Sequence, residues 1–453
     1  MNSRWIFPFA VLLGLALWSL GTTEVPQAAG GAPIRAGDVA WLLTATGLVL
    51  LMTPGLSFFY GGMVGARNVI STMLQSFVAL GVISLLWVAF GFSLAFGESL
   101  YGLIGNPFTY LMFKGVGVGT DAALAPTIPL LLFAMFQLKF AVITPALVSG
   151  SFAERVRFSA YLLFMCLFSV FVYAPLAHWT WHPNGFLKQW GVLDFAGGTV
   201  VHMSAGFAAL AGAIYLGPRL ARGRQAGPSQ ANTPYVLLGT GMLWFGWFGF
   251  NAGSALAADA VAAQAFATTN TASASAMLAW MFFDGLRGRK PGALGACIGA
   301  VVGLVAITPA AAYVSVPHSI LIGVVASLLS NLAVHLKSRS ALDDTLDVFP
   351  CHGVGGIVGM LLTGILARDV GLLSGEPTIF LRHLMALLIV SGYSFSVSLL
   401  LFKLTDLFVS VRVTPEDEAI GLDISQHAER LALVPHPEPA IVTADTDNLR
   451  ASG

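Results

Sequence analysis

Eleven apolar segments occupy most of this chain, at 39–62, 71–96, 127–150, 157–177, 195–216, 234–257, 261–283, 292–312, 317–336, 352–367 and 381–408. Each is close to the ~20 residues that a helix needs to cross the hydrocarbon of a bilayer. A backbone in lipid must satisfy its own N–H and C=O groups, so the segments read as membrane helices. They do not read as the alternating strands of about ten residues that close into a membrane barrel. Composition agrees, with 56% hydrophobic and 10% charged residues against about 25% charged in a soluble domain. Twenty-two Lys and Arg balance 22 Asp and Glu, so no charge excess points to nucleic acid or to a polybasic partner. The three cysteines, Cys166, Cys297 and Cys351, are too far apart for a zinc spacing or a disulfide framework. No nucleophile–base constellation, metal site or cofactor motif emerges, which argues against an enzyme.

The first 32 residues stand apart. Arg4 precedes the short apolar run "IFPFAVLLGLALWSL", and "GTTEVPQAAGGA" follows with small and polar residues. This is the pattern of a secretory signal peptide, with cleavage near Ala29; a retained extra helix is the alternative. A membrane domain at 33–409 and a cytoplasmic tail at 410–453 complete the division of the chain. With the N-terminus outside, the cytoplasmic loops carry Arg67, then Arg155 and Arg157, then Arg219, Arg222 and Arg224. They also carry Arg287, Arg289 and Lys290, then Lys337 and Arg339. The opposite loops are poorer, with Lys114, Lys188, Arg368 and Arg382 spread over longer stretches, which satisfies the positive-inside rule and leaves the C-terminus cytoplasmic.

Two histidines sit in glycine-rich runs, His202 of "GGTVVHMSAG" in the fifth span and His352 of "CHGVGGIVG" in the tenth. Five helices per half make the halves inverted repeats, with an eleventh helix added, and such repeats place a substrate path between them near the midplane. Ionisable groups in lipid cost about 2.5–3.5 kcal/mol on insertion scales and face a cavity or one another. A neutral imidazole offers one donor and one acceptor, so two of them are able to share a hydrogen bond inside a narrow apolar pore. A lone membrane histidine is as readily a hydrogen bond to a neighbouring helix. Zinc needs about four ligands, and no further ligand cluster accompanies the pair.

Asp194 begins the fifth span, eight residues before His202. Capping the first N–H groups of that helix is one role for it; direct contact with a cation at the entrance is the other. Phe136 and Phe140 are four apart and share a helical face. Trp181, Phe250 and Ser254 lie towards the same side of the membrane. An aromatic face with a hydroxyl acceptor suits a small cation bearing several N–H donors, although each aromatic alone reads as an interfacial anchor. Lys139 is a positive charge in mid-span and is kept off any cation path.

The ordered motifs "FYGGMV", "FAERVRFSA", "DFAGGTVVHMSAG", "WFGFNAGS", "ITPAAAYV", "CHGVGGIVG" and "EAIGLDISQHAE" resemble those of the Amt/Mep/Rh ammonium transporters, in the Amt branch. The resemblance runs from about Trp41 to about Glu429. It implies eleven membrane helices, one pore per protomer and a homotrimer in the cell membrane. It also implies an external ammonium recruitment site at Trp181, Phe136 and Ser254, supported by Asp194. Phe140 and Phe250 would form a gate, His202 and His352 would line the pore, and Thr308 would border the vestibule. Ammonium would be recruited as NH4+, deprotonated and conducted as NH3, with the proton relayed separately. A sensor or transceptor of the same fold, or an ammonia gas channel, are the alternative functions. A cytoplasmic PII signalling protein is the partner the resemblance implies. The stretch "RLALVPHPEPAIVTADTDNLRASG" extends beyond the familiar tail and reads as disordered.

Overall fold

A computed structural model describes residues 5–22, 30–220, 222 and 232–431. The expected cleavage point near Ala29, Arg224 and the end of the tail from residue 432 lie outside the described residues. The chain is helical almost throughout, as the apolar segments require. In order the helices are α1 (Ile6–Ser19), α2 (Ala36–Met63), α3 (Val69–Phe96), α4 (Leu130–Ser151), α5 (Phe158–Gln189) and α6 (Gly198–Leu216). They continue with α7 (Thr233–Gly253), α8 (Ala260–Leu286), α9 (Ala293–Ile307), α10 (Val316–Ser338), α11 (Phe349–Leu366) and α12 (Pro377–Phe408). Two short helices, α13 (Pro415–Ile420) and α14 (Leu422–His427), form the tail. A small hairpin, β1 (Ser99–Leu100) with β2 (Ile104–Gly105), lies between α3 and α4.

Among the described residues, eight helices are long and apolar enough to cross a membrane: α2 to α6, α10, α11 and α12. α9 is apolar but shorter, and α7 and α8 are long and carry more small and polar residues. α1 has no buried residue. Helix starts follow from local chemistry, because the first N–H groups of a helix have no partner within it. The Asn232 side chain accepts from Tyr235 N–H, Asp259 from Val261 and Ala262, and Ser315 from His318.

Small residues set how closely the helices approach. α7 lies along α2 on a seam of glycines. A Cβ on Gly239 would sit 2.3 Å from the backbone nitrogen of Phe59 and 2.6 Å from the Gly55 carbonyl, so only glycine allows that contact. Buried polar side chains then tie neighbours together. Tyr60 O–H donates to the Leu147 carbonyl at 2.9 Å, and Trp87 Nε1–H donates to the Ala134 carbonyl at 3.0 Å.

α4 is the most enclosed span, with 89% of its apolar window buried, whereas α12, at 33%, lies on the outside. The centre of the bundle therefore falls between α4, α6, α7 and α11. The tail turns back beneath it. Asp423 accepts from Ser71 N–H at 2.8 Å at the start of α3, and Gln426 accepts from Phe158 N–H at 3.3 Å. Arg412 donates to the Leu216 and Pro218 carbonyls at 2.7 and 2.8 Å.

Candidate functional site: an aromatic column above paired histidines

Six rings line up through the middle of the bundle. Phe136 and Phe140, one turn apart on α4, meet edge-on with centroids 5.0 Å apart. Phe140 meets Trp181 of α5 at 5.7 Å and Phe250 of α7 at 4.3 Å. Below Phe250 lies His202, stacked at 6.0 Å, and His202 faces His352 at 5.3 Å. Phe136, Phe140 and Phe250 are each at most 1% exposed, so the column is closed to solvent along most of its length. Ser254 sits beside its upper end. Its hydroxyl donates to the Phe250 carbonyl at 2.8 Å, leaving its lone pairs free to accept from a ligand.

The start of α6 explains how two of these residues are placed. Leu193–Gly197 is a turn before the helix, and Gly197 adopts φ +121°, which an L side chain rarely adopts. The turn folds the Asp194 carboxylate back over the helix end. Its Oδ1 accepts from Gly197 and Gly198 N–H at 2.8 and 2.6 Å. Its Oδ2 accepts from Thr199 N–H at 2.7 Å and from the Thr199 hydroxyl at 2.5 Å. The Asp194 carbonyl accepts from Trp181 Nε1–H at 3.2 Å. One residue thus holds both the helix end and the indole of the column.

α6 opens on a wide turn over Gly198–Met203, in which His202 N–H bonds to Gly197 O, five residues back, at 3.1 Å. α11 opens on a turn of the same kind over Phe349–Val354, which contains His352. Such π-turns turn side chains away from the positions of a regular helix. The two helices cross with backbones in contact: a Cβ on Gly206 would sit 2.2 Å from Gly353 N, and one on Gly356 would sit 3.1 Å from Gly198 O. Each of those glycines, Gly206 and Gly356, is four residues after its histidine. The crossing brings the imidazoles together at the centre, Nδ1 to Nδ1 at 3.3 Å.

The surroundings fix which nitrogen carries each proton. Thr308, expected at the vestibule, is fully buried beside His202. Its hydroxyl donates to the Leu304 carbonyl at 2.8 Å and accepts from Trp247 Nε1–H at 2.9 Å. The same oxygen lies 3.3 Å from His202 Nε2, so that nitrogen is the donor. His202 Nδ1 then accepts, and His352 Nδ1 donates to it. His352 Nε2 is left with a bare lone pair and no partner among the described residues. His352 lines a small cavity of about 10 Å³ together with Tyr60, Met63, Cys351 and apolar side chains, room for roughly one water molecule.

Three participants were not found by reading the sequence. Trp247 stacks on His202 at 5.3 Å and anchors Thr308; in the sequence it is one aromatic among several in "WFGWFGF". Asp344 repeats the arrangement of Asp194. It lies eight residues before His352 and accepts from Val348 and Phe349 N–H at 3.1 and 2.7 Å. That equal spacing was present in the sequence and was the available signal. The third is a partly buried charged network around it. Arg219 joins Glu154 at 2.6 Å and Asp343 at 3.0 Å, Lys337 joins Asp347 at 2.7 Å, and the fully buried Arg155 donates to the Asp343 carbonyl at 2.6 Å. Lys139, by contrast, is buried in α4 off the column, with no ion pair among the described residues.

Adjacent acids in this network titrate in opposite directions. Burial works to raise the Asp343 carboxyl, but hydrogen bonds and charge from Arg219 hold it down at about 2. Burial pushes Asp344 up to about 6, and Lys337 only partly offsets this. Because the folded value of Asp344 lies above its unfolded one, its contribution to stability is present at low pH and is lost as pH rises through that value. The stability of the natural chain relative to Asp344→Asn is therefore expected to fall, by on the order of 3 kcal/mol, between about pH 4 and pH 7. Thermal unfolding in detergent checks this; a difference that does not change with pH contradicts it.

The profile of the Ammonium Transporter Family matches residues 40–431. An ammonium transporter of Aquifex aeolicus is 46% identical over 410 residues, covering 89% of this chain and 95% of its own. The ammonium transporter Amt1 of Archaeoglobus fulgidus is 44% identical, covering 87% of this chain and 98% of its own. Among solved structures, Saccharomyces cerevisiae Mep2 superposes with a TM-score of 0.81 at 32% identity, over 90% of this chain and 94% of its own. A sensor Amt protein superposes with a TM-score of 0.80 at 30% identity, over 86% of this chain and 98% of its own. These relatives are transport or sensor proteins rather than enzymes. With its apolar helices and this likeness along nearly its whole length, the chain is a multi-pass membrane protein and belongs to the ammonium transporter family.

Proposed function

We propose that the chain carries ammonium across the cell membrane, and that the column of rings ending on the His202–His352 pair is its path. The observation that carries this reading is the change in chemistry along that column. Its upper end offers aromatic faces and the Ser254 lone pairs, which replace part of the hydration of a small cation through cation–π and hydrogen-bond contacts. Its middle is dry and apolar, and a bare cation cannot be desolvated there without a large cost. Its lower end offers two imidazoles in a hydrogen-bonded pair.

Ammonium loses a proton in passing from the first environment to the second; potassium has none to lose. Trp181, Phe136 and Ser254 recruit NH4+, and Asp194 supports them by fixing the indole and the helix end. Phe140 and Phe250, with ring centroids 4.3 Å apart, act as the gate. NH3 crosses along the imidazoles, and the proton passes separately along the same pair. The aligned donor and acceptor nitrogens support such a relay.

The finer architecture belongs to the same reading. α2 to α12 make eleven spans, with α7, α8 and α9 crossing alongside the eight more apolar helices. Two inverted halves of five helices are supported by the matched Asp194–His202 and Asp344–His352 units and by their reciprocal glycine contacts. α1, with nothing buried, suits a signal peptide ahead of an external N-terminus. The assembly is a homotrimer with one pore per protomer, and the docked tail faces the cytoplasm, where a PII protein would bind.

A sensor reading is favoured by the likeness to a sensor Amt protein. Methylammonium uptake in cells lacking their own ammonium transporters separates the two. Uptake restored by this chain is the expected result; a chain that reaches the membrane without restoring uptake overturns transport in favour of sensing.

A further inference from the structure

The cavity beneath His352 holds chemistry that ammonium conduction does not require. Its lining includes Cys351, Met63 and His352, which bring two sulfurs and an imidazole to one small space. Cys351 is a free cysteine, 7% exposed. His352 is 4% exposed, and with Nδ1 committed to His202, its bare Nε2 lone pair is directed away from that partner. The one hydroxyl among the lining residues, that of Tyr60, donates its proton to the Leu147 carbonyl at 2.9 Å, which leaves a neutral phenol oxygen as the only oxygen donor in the lining. The rest of the lining is apolar.

Two sulfurs and an imidazole, with no carboxylate and a single neutral phenol oxygen in the lining, favour soft ions over hard ones. The small volume and the apolar wall further favour an ion that keeps few waters. We propose that this cavity is a binding site for a soft monovalent metal ion of the silver(I) or copper(I) kind, held by Cys351 Sγ, His352 Nε2 and Met63 Sδ. Binding exchanges one cation for another: the S–H bond of Cys351 breaks, its proton leaves, and a sulfur–metal bond forms with no change of oxidation state. The ion occupies the lone pair at the lower end of the imidazole pair, so it stops conduction.

Silver(I) in chloride-free buffer tests this on the purified full-length chain. In a variant with Cys166→Ala and Cys297→Ala, Cys351 is the remaining cysteine. That variant is expected to take up one silver ion per chain by native mass spectrometry, and to lose flux in proteoliposomes as the ion binds. Adding Cys351→Ala abolishes the stoichiometric binding. Met63→Leu, which keeps the thiol and the fold, weakens it by at least the roughly 10–100-fold that loss of an outer partner costs a metal site. Each inhibition is read against the variant's own silver-free rate. No silver bound to the Cys351-only chain, equal binding after Cys351→Ala, or full occupancy with undiminished flux each overturns the proposal. Silver is counted on the protein whatever it transports, so failure here and failure of the ammonium reading are distinguishable.

Discussion

Replacing Asp194 with alanine is expected to cost the protein both its folded yield and its transport. The carboxylate receives four hydrogen bonds, from Gly197, Gly198 and Thr199 N–H and from the Thr199 hydroxyl. Every one of these donors is buried. A buried donor left without a partner costs about 1–3 kcal/mol. Four together rival the ~5–15 kcal/mol that holds a typical domain folded. The loss also removes a negative charge from the positive end of α6. Moreover, the wide turn that aims His202 and the carbonyl that holds Trp181 both depend on the same cap.

Asp194→Asn separates folding from function. It retains one acceptor oxygen but turns an amide N–H₂ towards donors. Some folded protein is expected, with flux reduced by more than tenfold, the effect of about 1.4 kcal/mol misplaced at the path. Thermal unfolding of the purified variants and methylammonium uptake check the two effects. An Asp194→Ala chain that folds and transports like the natural one contradicts the account of the cap.

The second large effect concerns selectivity. His202→Ala and His352→Ala each remove one half of the hydrogen-bonded imidazole pair in the column. Without the pair, ammonia meets a single imidazole and the proposed relay is broken. The vacated volume also lies where the surrounding side chains are close-packed, and such space either collapses or takes up water. Collapse stops flux; water admits hydrated ions. Both outcomes lower methylammonium uptake, by about tenfold or more, and the wet outcome lets potassium compete. Competition by potassium for uptake in each variant is the check. Methylammonium selectivity over potassium that is unaltered in both variants contradicts the role given to the pair.

Much of this arrangement is legible in the amino-acid sequence because lipid leaves so few choices. Apolar runs of span length locate the helices, and histidines set among glycines within them point to the centre of the bundle. His202 and His352 stand out for that reason, and Phe136 and Phe140 share a face by spacing alone. Other parts escape for physical reasons. The wide turns at the starts of α6 and α11 have no residue signature, since "GTVVHM" and "FPCHGV" read equally well as ordinary helix. Thr308 is placed by the bond it accepts from Trp247, sixty-one residues away in the chain, and no local pattern carries that. Asp344 was hidden by its neighbours: among Asp343, Asp344 and Asp347 it looks like part of a charged loop. Only its eight-residue spacing from His352 marks it as the counterpart of Asp194.

The wide turns and the glycine crossing have one shared consequence. They hold the two imidazoles at hydrogen-bond distance where both are buried. In the proposed path the pair moves a proton without admitting a cation, which is the central claim. The most direct test is an electrical recording on proteoliposomes containing the natural chain, after jumps in ammonium or in potassium concentration. The account predicts a transient inward current on the ammonium jump and none on the potassium jump. A potassium current of comparable size would contradict it, as would ammonium influx with no current at all.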